Sequence, residues 1–495
     1  MLRLRPLITL LVASICVLGL WTLWHGSLGQ EPTPLTPAQY KASGLTDNIY
    51  TNGNTKPDAD DWWLHFEEVL KLKPVSMKEA KAGCAWNPQD LERVNFQFDG
   101  GENGFVDTAW VRNDTSDLVL DARRAQWQDF MMYGTIPYGD ISSKLDGRGI
   151  VIVGGQSQSF HRVKVLLRQL KRLGSSIPVE LHYWGDEMNE EKKQELSTLW
   201  PLITYNDLSS PTNIYHVQLG GIVHVNYQLK TAAILNSNFA EILLMDSDNI
   251  PTIPPEDLFN SKTYKEHGTV FWPDIARTRV QNPVWPITNT PCRKDEYEQE
   301  SGQALIDKRK FWYHLQLAMF FINDKNSEYY NNILLGDKDT FRFAWHALKT
   351  TYGRPAHWLA TVGIKMAPDH FCGHHFAQFH PDREDGRVVF MHGGLLKTMD
   401  KQVMTFLRAS HGGIFHAYKT GTKPYDAEEL TRAEIKFDGA SYWKHKPESV
   451  GVQMCTDMKD VEARPFGELV QGFNEVFEEV GGYWLIDSGE FSSGT

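Results

Sequence analysis

The chain has 495 residues, 41% of them hydrophobic and 12% aromatic, with a formal net charge of −12. That length and apolar content mark a globular protein with a real core, arranged as one large domain or two ordinary ones. The acidic balance, with a sequence pI near 5.8, excludes the basic surface that nucleic acid would need.

Arg3 and Arg5 precede an uncharged stretch from Leu7 to Trp24. As a helix at ~1.5 Å per residue it would reach about 27 Å, close to the thickness of an early secretory-pathway bilayer. Positive charge on residues 1–6 keeps that end in the cytosol and sends the body to the lumen. A single transmembrane signal anchor over 7–24 is therefore expected, with Trp21 and Trp24 at its far interface. Cleavage near Ser27-Leu28-Gly29 is the alternative; either way the body is lumenal or extracellular. Cys16 lies in the apolar run, which leaves Cys84, Cys292, Cys372 and Cys455. In an oxidising compartment these predict two disulfides, with three pairings open. Asn113-Asp114-Thr115 is a sequon, so Asn113 is a candidate glycan acceptor.

Residues 25–61 are polar, rich in Thr, Pro, Gly and Asn, and read as a stem. Residues 62–148 carry helical pieces, Trp62–Leu72 and Leu118–Met132, and form an N-terminal helical layer. At Gly149 the pattern changes. GIVIVGG is a buried strand ending in a tight turn at Gly154 and Gly155. Phe160, Val163, Leu166, Leu167, Leu170 and Leu173 then recur at helical spacing until Gly174. Strands at VELHYWG and LITYND, helices at Glu190–Leu199 and Tyr227–Leu235, and a strand at EILLMDSDN continue the alternation. This is an α/β fold with a mostly parallel sheet and helices on both faces. Residues 149–420 form the main domain, and 421–495 an extension with a helix near Phe473–Val480.

The strand EILLM delivers Asp246 and Asp248 at its carboxyl end. Residues two apart on extended chain point to one face, so both carboxylates can meet one cation. Ligands of open α/β sheets bind at that end. A hard cation there could neutralise charge developing on a diphosphate leaving group. An EF-hand fails, because Ile250 and Pro251 stand where a ligand and a glycine are required. An aspartyl nucleophile at Asp246, giving a lumenal phosphohydrolase, remains an alternative, although such an aspartate usually ends the first strand of its domain.

The segments YQLKTAAILNSNFAEILLMDSDNIP, YEQESGQALIDK, LLGDKDTFRFAW and FMHGGLLK, in that order, resemble the fungal α-mannosyltransferases that build outer-chain and O-linked mannose in the Golgi. The resemblance covers roughly residues 149–420. It implies a type II Golgi membrane protein with a GT-A nucleotide-sugar fold and a lumenal catalytic domain. It also implies transfer from GDP-mannose to a mannose hydroxyl of a glycoprotein glycan, with retention of configuration. A divalent metal is implied, Mn²⁺ favoured over Mg²⁺. Asp246, Asp248 and His392 would hold the metal. Gly154, Gly155, Lys230, Asp246, Ser301, Gly302 and Lys397 would contact the donor. Lys397 follows His392 by five residues, where better-known retaining transferases use six. Glu300 and Asp337 are the candidate catalytic carboxylates, and their structural alternatives are a turn residue and the N-cap of a helix from Thr340. A non-catalytic glycan-binding subunit is a further alternative, opposed by the intact Asp246 and Asp248. The spacing of His370, Cys372, His374, His375 and His380 matches no usual zinc pattern. Trp272, Trp285 and Trp358 are expected in the core rather than stacked on sugar.

Overall fold

The computed structural model describes residues 61–84, 97–99, 116–217, 225–334, 336–367, 370–393, 401–421, 433–436, 455–458 and 461–487. The expected anchor and stem, Asn113 and Lys397 lie outside them. Among the described residues no helix is long and apolar enough to cross a membrane.

Ile150, Val151 and Ile152 are all fully buried, so their strand is covered on both faces, as a β-branched run predicts. This strand is β1 (Asp146–Val153), followed by β2 (Val179–Tyr183), β3 (Ile203–Asp207) and β4 (Phe239–Met245). All three pairings among them are parallel. Beyond β4 the chain forms β5 (Asn249–Pro251), β6 (Thr269–Pro273) and β7 (Gln299–Asp307). Strand β7 pairs antiparallel with β4, and β6 antiparallel with β7. The first sheet therefore runs β3-β2-β1-β4-β7-β6. Its first half is parallel as expected; the two further strands make it mixed. Between β1 and β4 the order of strands reverses, which opens a crevice at their carboxyl ends.

Helix Ser157–Arg172 lays Phe160, Val163, Leu166, Leu167 and Leu170 against one face of this sheet. The other face carries helix Lys308–Ile322, buried almost all round. Against it pack helices Asp61–Leu70 and Asp117–Tyr133, so the N-terminal helices share the core of the main sheet. Trp127 donates from its indole to the Ile287 carbonyl at 2.9 Å. Cys84 is disulfide-bonded to Cys292, which ties helix Met77–Ala82 to the same body.

A second sheet was not legible in the sequence. Strands β8 (Ala360–Ala367), β9 (His370–Phe379) and β10 (Val388–His392) form its centre. Antiparallel pairing links β8 to β9, β9 to β10 and β10 to β5. Residues expected only as a C-terminal cap contribute strands here. Cys455–Met458 pairs with β9, and Ala433–Lys436 pairs with both Cys455–Met458 and Gln97–Asp99. The second disulfide, Cys372–Cys455, stitches this region together. Helix Phe473–Glu479 forms where expected. The chain thus leaves one sheet at the end of β4 and enters the other at β5, and the link is Asp246-Ser247-Asp248.

Candidate active site

The link is held rigidly. The Asp246 N–H donates to the Gly302 carbonyl at 2.8 Å, and the Asn249 N–H to the Asp246 carbonyl at 3.0 Å. The Asn249 amide donates to Gly302 O at 2.9 Å and to Gln303 Oε1 at 2.7 Å, all fully buried. These bonds lock β4, β5 and β7 together at the site. Asn249 was missed in the sequence, although an amide beside two carboxylates in an apolar strand must find partners once buried.

Strand β10 brings the third member. His392 stands in register with Asn249, so its imidazole meets both aspartates. His392 Nε2 lies 3.7 Å from Asp246 Oδ2 and 3.6 Å from Asp248 Oδ1. Those separations exceed hydrogen-bond length. Nevertheless, ligand atoms of Asp246, Asp248 and His392 all fall within 4.8 Å of one another. Two carboxylates and an imidazole on converging strands fit a divalent cation such as Mn²⁺ or Mg²⁺. On the other side of the ring, His392 Nδ1 is 3.6 Å from Glu300 Oε2. A carboxylate facing the far nitrogen of a ligating His is the usual orienting arrangement.

Lys230, on helix Val225–Asn236, gathers the remaining charges. Its ammonium lies 2.9 Å from Asp246 and 3.6 Å from Asp337 Oδ2, and donates to Ser301 Oγ at 3.3 Å. Asp337 is the N-cap of helix Lys338–Ala347, which starts earlier than Thr340, but its side chain caps nothing. Glu300 sits in β7 rather than a turn, and accepts from the Gly302 N–H at 2.9 Å.

Electrostatics separates the two candidate catalytic carboxylates. Burial opposes ionisation of Asp246, yet Lys230 and His392 outweigh it and hold its pKa down to about 2. Burial likewise opposes Glu300 ionisation, and His392 and Lys230 again prevail, lowering it. At Asp337 burial wins over Lys230, and the carboxyl is raised above its ordinary value. Burial works to lower the Lys230 pKa; Asp246 and Asp337 outweigh it and raise it. His392 is also raised, because Glu300, Asp246 and Asp248 overcome its desolvation. A cation replacing that proton would keep the cluster neutralised.

Gly154 and Gly155 lie buried at the end of β1. A Cβ on Gly155 would stand 2.9 Å from Glu187 Cβ and 3.0 Å from Tyr183 Cβ, so close packing requires this glycine. Gly302 is needed for another reason: a Cβ there would fall 2.2 Å from His392 Cε1. Lys338 bridges Asp274 at 2.6 Å and Glu298 at 2.7 Å beside the site. Burial pushes Asp274 up to about 6 despite that ammonium. Neither Asp274 nor Glu298 stood out in the sequence, because isolated charges on separate segments carry no spacing signal. Trp272, Trp285 and Trp358 are buried in the core as expected. His374 and His375 bond to each other at 3.0 Å, and Cys372 is in a disulfide, so no zinc set forms from them.

Known proteins share similarity with part of this chain. Residues 147–298 and 286–380 match the family model described as "Mannosyltransferase putative". The matched stretch, just under half of the chain, is similar to this mannosyltransferase family. Among curated relatives it is 26% identical over 278 residues to alpha-1,2-mannosyltransferase MNN23 of Candida albicans, covering 47% of this chain and 46% of that one. It is 28% identical over 243 residues to alpha-1,2-mannosyltransferase MNN2 of Saccharomyces cerevisiae, covering 39% of each. The chain thus spans about half the length, or less, of the curated relatives it matches. Among solved structures it superposes on core-mannan synthase A of Aspergillus fumigatus in its Mn/GDP form, with TM-score 0.25 and 10% identity, covering 41% of this chain and 70% of that one. It also superposes on the glycosyltransferase GlyE of Streptococcus pneumoniae, with TM-score 0.29 and 15% identity, covering 42% and 45%.

Proposed function

We propose that this protein is a metal-dependent, retaining α-mannosyltransferase of GT-A type that moves mannose from GDP-mannose to a mannose hydroxyl of a glycoprotein glycan. The observation that carries the reading is the convergence of Asp246, Asp248 and His392 at a strand end beside the crevice of the parallel sheet. The names of the α-1,2-mannosyltransferase relatives support mannose as the transferred sugar. Expected sequence features support a Golgi setting: the Leu7–Trp24 segment as a type II anchor, with the body lumenal. The disulfides Cys84–Cys292 and Cys372–Cys455 agree with an oxidising compartment.

In this reading Asp246, Asp248 and His392 hold the cation, which when bound supplies positive charge to the departing diphosphate. Glu300 orients His392 and keeps its far nitrogen directed. Lys230 keeps Asp246 ionised and lends a further positive charge beside the leaving group. Asp337 is buried, faces Lys230, and stands where a carboxylate can stabilise oxocarbenium character on the transferred sugar. Ser301, within reach of Lys230, lines the same wall.

The test is calorimetric binding of GDP and UDP with and without Mn²⁺, followed by transfer from GDP-mannose to an α-mannoside acceptor. Mn²⁺-dependent GDP binding and a mannosylated product are expected. Release of inorganic phosphate from phosphomonoesters, with indifference to GDP-mannose, would instead establish the phosphohydrolase. Glycan binding without nucleotide binding would establish a non-catalytic subunit.

A further inference from the structure

Arg162 lies on helix Ser157–Arg172, which follows β1 and leads away from Gly154 and Gly155. Its half-buried side chain turns toward the site, where Nε donates to Ser247 Oγ at 3.0 Å. Ser247 is itself buried, between the two aspartates of the metal set. Three other basic residues of the helix face away and have partners. Lys164 pairs with Glu195 at 2.9 Å, Arg172 pairs with Glu479 at 2.8 Å, and Arg168 donates to the Val480 carbonyl at 3.3 Å. Among the described residues, no carboxylate pairs with Arg162. A guanidinium offers five N–H donors in a planar fork, and among the described residues only one is engaged. A cation held against a metal site by a neutral hydroxyl is suited to an anion that arrives with the ligand.

The end of β4 is also asymmetric in charge. On the β7 side stand Glu300 and Asp337, joined through Lys230 and His392. On the β1 side stand Gly154 and Gly155, the Glu187 carboxylate against Gly155, and two cations, Arg162 and Lys192, whose ammonium donates to the Gly155 carbonyl at 3.0 Å. A sugar carrying developing positive charge is favoured over the acidic side, and a phosphate over the Arg162 side. The order of strands puts the open crevice between β1 and β4, on that same side.

We propose that Arg162 is a donor-binding residue whose free guanidinium edge takes the nucleoside-side phosphate of the sugar donor. This fixes the donor's direction across β4, with nucleoside over β1 and sugar over β7. The inference rests on the donor being a nucleoside diphosphate sugar, as proposed above. Ser247 is the positioning residue that aims the guanidinium.

Calorimetry on the full chain tests it, with Mn²⁺ alone and with GDP in saturating Mn²⁺. If the wild type binds neither GDP nor UDP, the reading of the function fails before Arg162 is tested. Given wild-type binding, Arg162→Ala is expected to weaken GDP about tenfold or more, with Mn²⁺ affinity unchanged and Arg162→Lys recovering part of the loss. Ser247→Ala should cost less than Arg162→Ala. GDP affinity within twofold of wild type in Arg162→Ala would overturn the proposal. So would a parallel loss of Mn²⁺ affinity, which would mean that Arg162 only supports the Asp246–Asp248 turn. Should Arg162→Ala fail to fold, Arg162→Gln, which keeps length and polarity but loses the charge, carries the same two outcomes.

Discussion

Gly302 lies directly beneath the imidazole of His392, so closely that a Cβ on Gly302 would stand 2.2 Å from Cε1 and 2.5 Å from Nδ1 and Nε2. The ring has no room to retreat, because β10 is fixed in register on β5 and β9. Gly302→Ala is therefore expected to displace His392 from Asp246 and Asp248. Mn²⁺ affinity should fall by ~10–100-fold, the range for a disturbed outer shell. A melting temperature lowered with unchanged Mn²⁺ affinity would contradict this.

Asp248→Asn removes one charge from the metal set while keeping its shape. Turnover should fall by ~10²–10³ or more, as expected when a group stabilising leaving-group charge is lost. EDTA should have the same effect, reversed by Mn²⁺. Activity untouched by both treatments would remove the metal mechanism.

Glu300 and Asp337 should separate by their phenotypes. Glu300→Gln alters the group facing His392 Nδ1, so metal affinity and turnover should fall together. Asp337→Asn leaves the metal set alone; GDP affinity should stay within a few-fold while kcat drops. Equal loss of GDP binding in both variants would show that Asp337 is not the sugar-facing group.

The two disulfides should contribute unequally. Cys84–Cys292 spans a sequence separation of 208 and Cys372–Cys455 one of 83. Loop-closure entropy alone favours the longer bridge by about 0.8 kcal/mol. Cys84→Ala/Cys292→Ala should melt below Cys372→Ala/Cys455→Ala, with both below wild type. Reactive thiols at all four of Cys84, Cys292, Cys372 and Cys455 in the denatured, unreduced protein would disprove both bridges.

Lys308 is fully buried, and desolvation lowers its pKa to about 7, only partly countered by Glu180. The unfolded chain keeps this proton up to the ordinary lysine range, so between about pH 7 and pH 10 the unfolded state binds more protons than the folded one. Its contribution to stability therefore rises with pH across that window and is flat below it. The slope should be on the order of 1 kcal/mol per pH unit. Lys308→Met should flatten the dependence of denaturation midpoint on pH between 7 and 9; an unchanged slope would show another group responsible.

The parallel half of the main sheet was legible because its signal is local. A continuous β-branched run makes β1, an apolar run, Ile242–Met245, makes β4, and a 3.6-residue stripe makes helix Ser157–Arg172. Asp246 and Asp248 could be placed at a strand end by the period of two in extended chain. The existence of two disulfides needed only a count of cysteines.

Closure of the site was decided by tertiary structure. His392 reaches Asp248 because β10 pairs with β5, and no pattern within either segment specifies that register. Arg162 meets Ser247, and Lys338 meets Asp274 and Glu298, through contacts between segments far apart in the chain. The same holds for the pairing of Cys84 with Cys292, and for the second sheet that draws in residues 433–436 and 455–458. Periodicity reports which face of an element is apolar, whereas the partner of that face is set by packing summed over the whole core. Composition and local period therefore determined the kinds of element and the chemistry available at β4. Long-range register and burial decided which charges would face one another and which of them would keep a proton.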